Sequence, residues 1–114
     1  MKELCRKVTF YNGHFQEFYN KQRAAVRKKI TWTLEIIERV EIVPEIYLKH
    51  IENTRGLYEI RVQQASDIFR IFCFFDKGKV IVLGNGFQKK TQKTPLAEIT
   101  KALKIKEEYE KNKK

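Results

Sequence analysis

The chain has 114 residues, 42% of them hydrophobic and 33% charged, with a formal net charge of +10. That length predicts one domain over residues 1–114 with a core of its own. No apolar run nears the roughly 20 residues of a membrane span, and the opening MKELCRKVTF lacks the apolar stretch of a signal peptide, so the expected compartment is the cytoplasm. The two cysteines and two histidines make no metal-ligand spacing, and no metal or other cofactor is expected. Residues 101–114 hold six lysines and three glutamates, a net of +3, which leaves +7 for the rest of the chain. An excess of that size points to nucleic acid, an anionic surface or an acidic partner.

In chain order, Val8–Tyr11 reads as a short strand ended by the turn signal Asn12-Gly13. Phe15, Phe18 and Tyr19 mark a short helix ending near Gln22. A second helix over about Arg23–Val40 carries the stripe Val26, Ile30, Thr33, Leu34, Ile37 and Val40, widened by Trp32 and Ile36, and stops before Pro44. Residues 44–56 are mixed, with a helical turn expected at Glu45–His50 and a loop at Asn53–Gly56. Three strands follow, at about Leu57–Gln63, Ile68–Phe75 and Lys79–Phe87, joined by hairpin-length connections. Behind Thr94, with Pro95 at the first helical position, a helix runs to about Tyr109 on Leu96, Ile99, Ala102, Leu103 and the stem of Lys106. Residues 110–114 are expected to fray.

If Ala65-Ser66 and Lys77-Gly78 are the central turn residues, Arg61 opposes Arg70, Arg70 opposes Asn85, and Phe75 opposes Val80. Side chains alternate faces along a strand. One face then carries Tyr58, Ile60, Val62, Phe69, Ile71, Cys73, Phe75, Val80 and Val82, has no charge and forms the core. The other is divided. Phe72, Phe74, Ile81 and Leu83 make an apolar region that needs a cover, from the C-terminal helix or from another chain, while Arg61, Arg70 and Asn85 form a row with Phe87 beside it. Opposed arginines repel by roughly 0.2–1 kcal/mol. An anion between them relieves that cost, and so does a pair with Glu59 on the same face.

The last strand empties into Lys89, Lys90 and Lys93 with no acidic residue among them. Such a loop suits a phosphate backbone, with Phe87 placed either to stack a base or to cap the core. A lysine held among cations has a lowered pKa and can transfer a proton, which makes Lys89, Lys90 and Lys93 the candidates for acid or base, Lys90 and Lys93 ahead of Lys89, while the guanidinium forks of Arg61 and Arg70 suit charge relief at a phosphate.

The segments GLYEIRV (Gly56–Val62), FRIF (Phe69–Phe72) and GFQKKTQKTP (Gly86–Pro95) together resemble the phage-derived Gp49-like, or HigB-like, branch of the RelE/ParE toxin superfamily, over nearly the whole chain. The resemblance implies an α+β, RelE-like fold: a small, mainly antiparallel sheet, an N-terminal helical hairpin on one face and a C-terminal helix. It further implies the toxin of a type II toxin–antitoxin pair, acting as a ribosome-dependent, metal-independent mRNA endonuclease. Arg61, Arg70, Lys90 and Lys93 would then be catalytic, and Asn85, Phe87 and Lys89 would bind RNA. Expected partners are a helix-turn-helix, HigA-like antitoxin that covers the arginine face, the ribosome and its mRNA, and operator DNA reached through the antitoxin complex; no membrane is involved. Two departures stand out. Glu59 occupies a position that is basic in RelE, and Thr94–Ala97 offers no counterpart of RelE's catalytic tyrosine. The alternatives are a ParE-like, non-enzymatic gyrase inhibitor and a degenerate toxin that only binds antitoxin and operator DNA.

Overall fold

The computed structural model describes residues 4–113. Its elements, in chain order, are β1 (Lys7–Phe10), α1 (His14–Asn20), α2 (Ala24–Arg39), β2 (Leu48–His50), β3 (Leu57–Gln64), β4 (Asp67–Phe75), β5 (Val80–Lys89) and α3 (Leu96–Asn112). The fold is α+β, with a mixed sheet of five strands in the order β1-β5-β4-β3-β2, as expected of a RelE-like fold. Every neighbouring pair is antiparallel except β1 and β5. No helix among the described residues is long and apolar enough to cross a membrane.

The α1–α2 hairpin covers one face of the sheet. Val26, Ile30, Thr33 and Ile37, spaced three or four residues apart, turn one buried stripe of α2 onto Ile60, Val62, Phe69, Ile71 and Cys73. Arg6 ends α2 from outside, donating to the carbonyls of Ile37 and Val40 at 3.1 and 2.7 Å, which satisfies acceptors the helix leaves free. Trp32 lies off the stripe, 41% exposed, with its ring edge-on to Tyr47.

The β3–β4 register is as the turn predicts: Arg61 faces Arg70 and Val62 faces Phe69. The β4–β5 register is not. Phe75 pairs with Ile81 rather than Val80, and Arg70 pairs with Phe87 rather than Asn85. The pairing slips between Cys73–Leu83 and Ile71–Gly86, so Gly84 and Asn85 together stand opposite Phe72. The one-residue offset moves Ile81 and Leu83 into the helix-side core and puts Val82 beside Phe74 on the other face. The bulge then restores the parity, leaving Phe87 on the face of Arg70.

The second face is covered by α3, not left open to a partner. Ala102 and Ile99 pack on Leu57 and Phe72, Tyr109 meets Phe74 edge-on, and Lys106 reaches over the Phe74 ring with its ammonium 5.9 Å from the centroid. The helix stripe is therefore Ile99–Ala102–Ile105–Tyr109; Leu96 and Leu103, expected to be buried, are 76% and 37% exposed. Pro95 is the N-cap rather than the first helical residue. The C-terminal end is tied down rather than frayed: Tyr109 donates to Asp76 at 2.6 Å and Lys113 pairs with the same carboxylate. Lys114 lies outside the described residues. The turn at Glu45–Tyr47 leads directly into β2, a strand absent from the expected elements.

Candidate nucleic-acid interface

Where β2 stops, β3 and β4 carry three charged side chains on the face they share. The β2–β3 pairing runs from His50–Tyr58 to Leu48–Ile60, and the Arg61 N–H then donates to the Tyr47 carbonyl at 2.8 Å. Glu59 and Arg61, two apart on β3, point the same way, and Arg70 stands opposite Arg61 on β4. One carboxylate oxygen, Glu59 Oε2, lies 3.1 Å from Arg61 Nε and 3.5 Å from Arg70 Nε. The arginine–arginine repulsion is thus relieved by a shared counter-ion. Neither Nε–H is aligned for a hydrogen bond to that oxygen, so the attraction is Coulombic.

Burial strengthens this cluster and leaves it unfinished. The Arg70 and Glu59 side chains are each 9% exposed and that of Arg61 29%. Arg70 donates a hydrogen bond from Nη1 to the Phe69 carbonyl at 3.1 Å. Burial disfavours its charge and lowers its pKa, Glu59 opposes that effect, and Arg61 adds to it. Lys89 joins the group at the end of β5, where it pairs with Ile68. Its pKa is lowered first by burial and then by Arg70, with Glu59 working against them and Arg61 with them. Three cations thus share the field of a single carboxylate, an excess of two positive charges at one place.

A cleft of about 430 Å³ opens beside the arginines, between the free end of β3 and α2, and is lined by Lys29, Tyr47, Gln63, Ile68, Arg61 and Arg70 among others. A second hollow of about 750 Å³ lies next to it, formed by the β3–β4 turn with Gln88, Lys89 and Lys90.

The structure brings together Arg61, Arg70 and Lys89 from the expected set. Lys90 and Lys93 are exposed on the loop after β5, where the Thr91 hydroxyl donates to the Lys93 carbonyl at 2.7 Å. Phe87 is half-buried, stacked on Phe72 with centroids 5.6 Å apart and packed under α3, so the capping alternative describes its place. Asn85 is 3% exposed in the bulge, where its Nδ2 approaches Glu98 at 3.4 Å. Tyr47 and Lys29 give no local signal in the sequence, being a lone tyrosine in a mixed segment and a lysine on an amphipathic helix; the β2–β3 pairing brings Tyr47 to the arginines, and the packing of α2 on β3 brings Lys29.

A model of the phage-derived protein Gp49-like family (DUF891) matches residues 17–107, a span that holds every residue of this cluster. The chain belongs to that family, the RelE/HigB-like toxins. No curated protein matches it. In this Gp49-like chain the match runs from within α1 to within α3, so the elements that place the arginine cluster are those the family shares. Membership carries with it a toxin–antitoxin role and an antitoxin as partner.

Proposed function

We propose that this Gp49-like toxin is a metal-independent endoribonuclease that cuts mRNA on the ribosome in the cytoplasm, and that a HigA-like helix-turn-helix antitoxin restrains it and carries it to operator DNA. The observation that supports this reading best is the pair of Arg61 and Arg70 drawn to Glu59 at the wall of a cleft, with Lys89 lining the adjoining hollow and within their electrostatic field. A phosphodiester carries one negative charge and the phosphorane formed from it carries two. An excess of two positive charges therefore suits the transition state better than the substrate, which is the condition for catalysis. Binding gyrase without chemistry demands no such arrangement.

RNA supplies its own nucleophile. The 2′-oxygen attacks phosphorus, the bond from phosphorus to the 5′-oxygen breaks, and the products are a 2′,3′-cyclic phosphate and a 5′-hydroxyl. Arg61 and Arg70 take the non-bridging oxygens with their terminal guanidinium N–H groups, their Nε atoms being turned to Glu59. Glu59, released as the phosphate takes over both guanidiniums, accepts the 2′ proton. Lys89, whose ammonium gives up its proton more readily than a free lysine, protonates the leaving oxygen. Lys90 and Lys93 supply further backbone attraction from the exposed loop.

Induction of the toxin without its antitoxin, with mRNA 5′ ends mapped, tests the reading. New ends inside translated codons are expected, and they disappear in Arg61→Ala. Intact messages together with altered DNA supercoiling would replace it with gyrase inhibition.

A further inference from the structure

We infer that the cleft beside the arginine pair is a nucleobase subsite, in which the base of a nucleotide flanking the held phosphate lies against Tyr47 and is read by Gln63. This rests on the endoribonuclease reading and extends it from the phosphate to the base. The cleft, at about 430 Å³, falls in the size range of small-molecule sites. Arg61 and Arg70 form part of its wall, so a phosphate held by them puts the attached nucleoside at its opening.

Tyr47 is suited to a stacking role by how it is held. Its backbone is fixed on both sides: its N–H donates to the Pro44 carbonyl at 3.0 Å and its carbonyl accepts from Arg61 at 2.8 Å. Trp32 supports the ring edge-on, with centroids 5.7 Å apart and planes at 76°. That contact fixes the orientation of the ring while the residue remains half-exposed at the cleft. Ile68 adds apolar surface, and Lys29 adds a cation at the α2 side. Gln63 is the neutral hydrogen-bonding side chain of the β3 rim. Its Nε2 donates to the Ala65 carbonyl at 3.1 Å, which orients the amide and leaves its oxygen to accept from the exocyclic amino group of a base. Neighbouring cations, an aromatic face and an oriented amide together form the arrangement by which single-stranded RNA is recognised.

The test uses the full chain and two probes: an uncleavable 2′-O-methyl RNA pentamer and an abasic backbone of the same length. Binding is followed by anisotropy and by the emission of Trp32, the single tryptophan in the chain. Tyr47→Ala is expected to weaken the pentamer about tenfold or more and to leave the abasic backbone within about twofold, with Tyr47→Phe restoring the difference. The pentamer quenches Trp32 and the abasic backbone does not. Gln63→Ala, an exposed position, flattens the preference among pentamers of different base. Equal loss of both probes in Tyr47→Ala, or no loss of either while Arg61→Ala weakens both, overturns the base subsite and leaves the phosphate site standing. If Arg61→Ala changes neither probe, the phosphate site falls and the subsite with it.

Discussion

With two guanidiniums drawn to one carboxylate, Glu59 sets both the stability and the readiness of the site. Arg70 is too deeply buried to be left without a counter-ion. Glu59→Gln keeps the shape but removes the charge, and the folded state is expected to lose about 3–5 kcal/mol, read as a lower urea midpoint at unchanged slope. An unchanged midpoint would mean that solvent already screens Arg70. Lys89 predicts a pH profile. Its pKa lies below the ordinary lysine range because burial and Arg70 disfavour the ammonium. The acid form is present at pH below that lowered value and is lost as pH rises through it. Cleavage should therefore decline on the alkaline side earlier than a free lysine would dictate, and Lys89→Ala should remove that limb along with most of the rate. The sequence shows Arg61 and Arg70 clearly, because strand alternation and a two-residue turn place them. The lysine nearest the chemistry was less legible, since a basic run does not reveal which member the last strand residue turns inward.

At the scale of elements, β5 shows how a long strand is bent to serve two layers. The bulge at Gly84–Asn85 brings Gly86 against α1, where an added Cβ would lie 2.6 Å from the Phe18 ring. Gly86→Ala is expected to overpack that contact and cost about 1–3 kcal/mol, visible as a fall in melting temperature, with Phe18→Leu in the same chain recovering part of it. No loss in Gly86→Ala would show that α1 can move aside freely. The bulge was invisible in the sequence for a physical reason. Val80–Leu83 is apolar throughout because helices cover both faces, so alternation offers no means of choosing between registers one residue apart. The β3–β4 hairpin had no such ambiguity, because Arg61 and Arg70 mark one face. The strand β2 escaped notice for a related reason. Leu48–His50 is three residues long and exists through its pairing with β3, without a pattern of its own.

For the molecule as a whole, the net charge of +10 and the arrangement of layers act together. Helices on both faces leave the arginine cluster beyond the end of β2, at an edge where RNA can reach it, while α3 seals the apolar part of the same face. The antitoxin therefore need not cover an apolar sheet, and exposed Leu96 and Leu103 on the outer side of α3 are the apolar positions that the sequence had assigned to its core. On the proposed function, this edge cuts RNA through the RNA's own 2′-oxygen. The most direct measurement places purified toxin on ribosomes stalled over a defined codon, with either ribose or 2′-deoxyribose at the cut nucleotide, and identifies the product ends. The expected result is cleavage of the ribose message to a 2′,3′-cyclic phosphate and a 5′-hydroxyl, none of the deoxy message, and a loss of about a hundredfold or more in Arg61→Ala. Cleavage of the deoxy message, or ends bearing a 3′-hydroxyl and a 5′-phosphate, would contradict it.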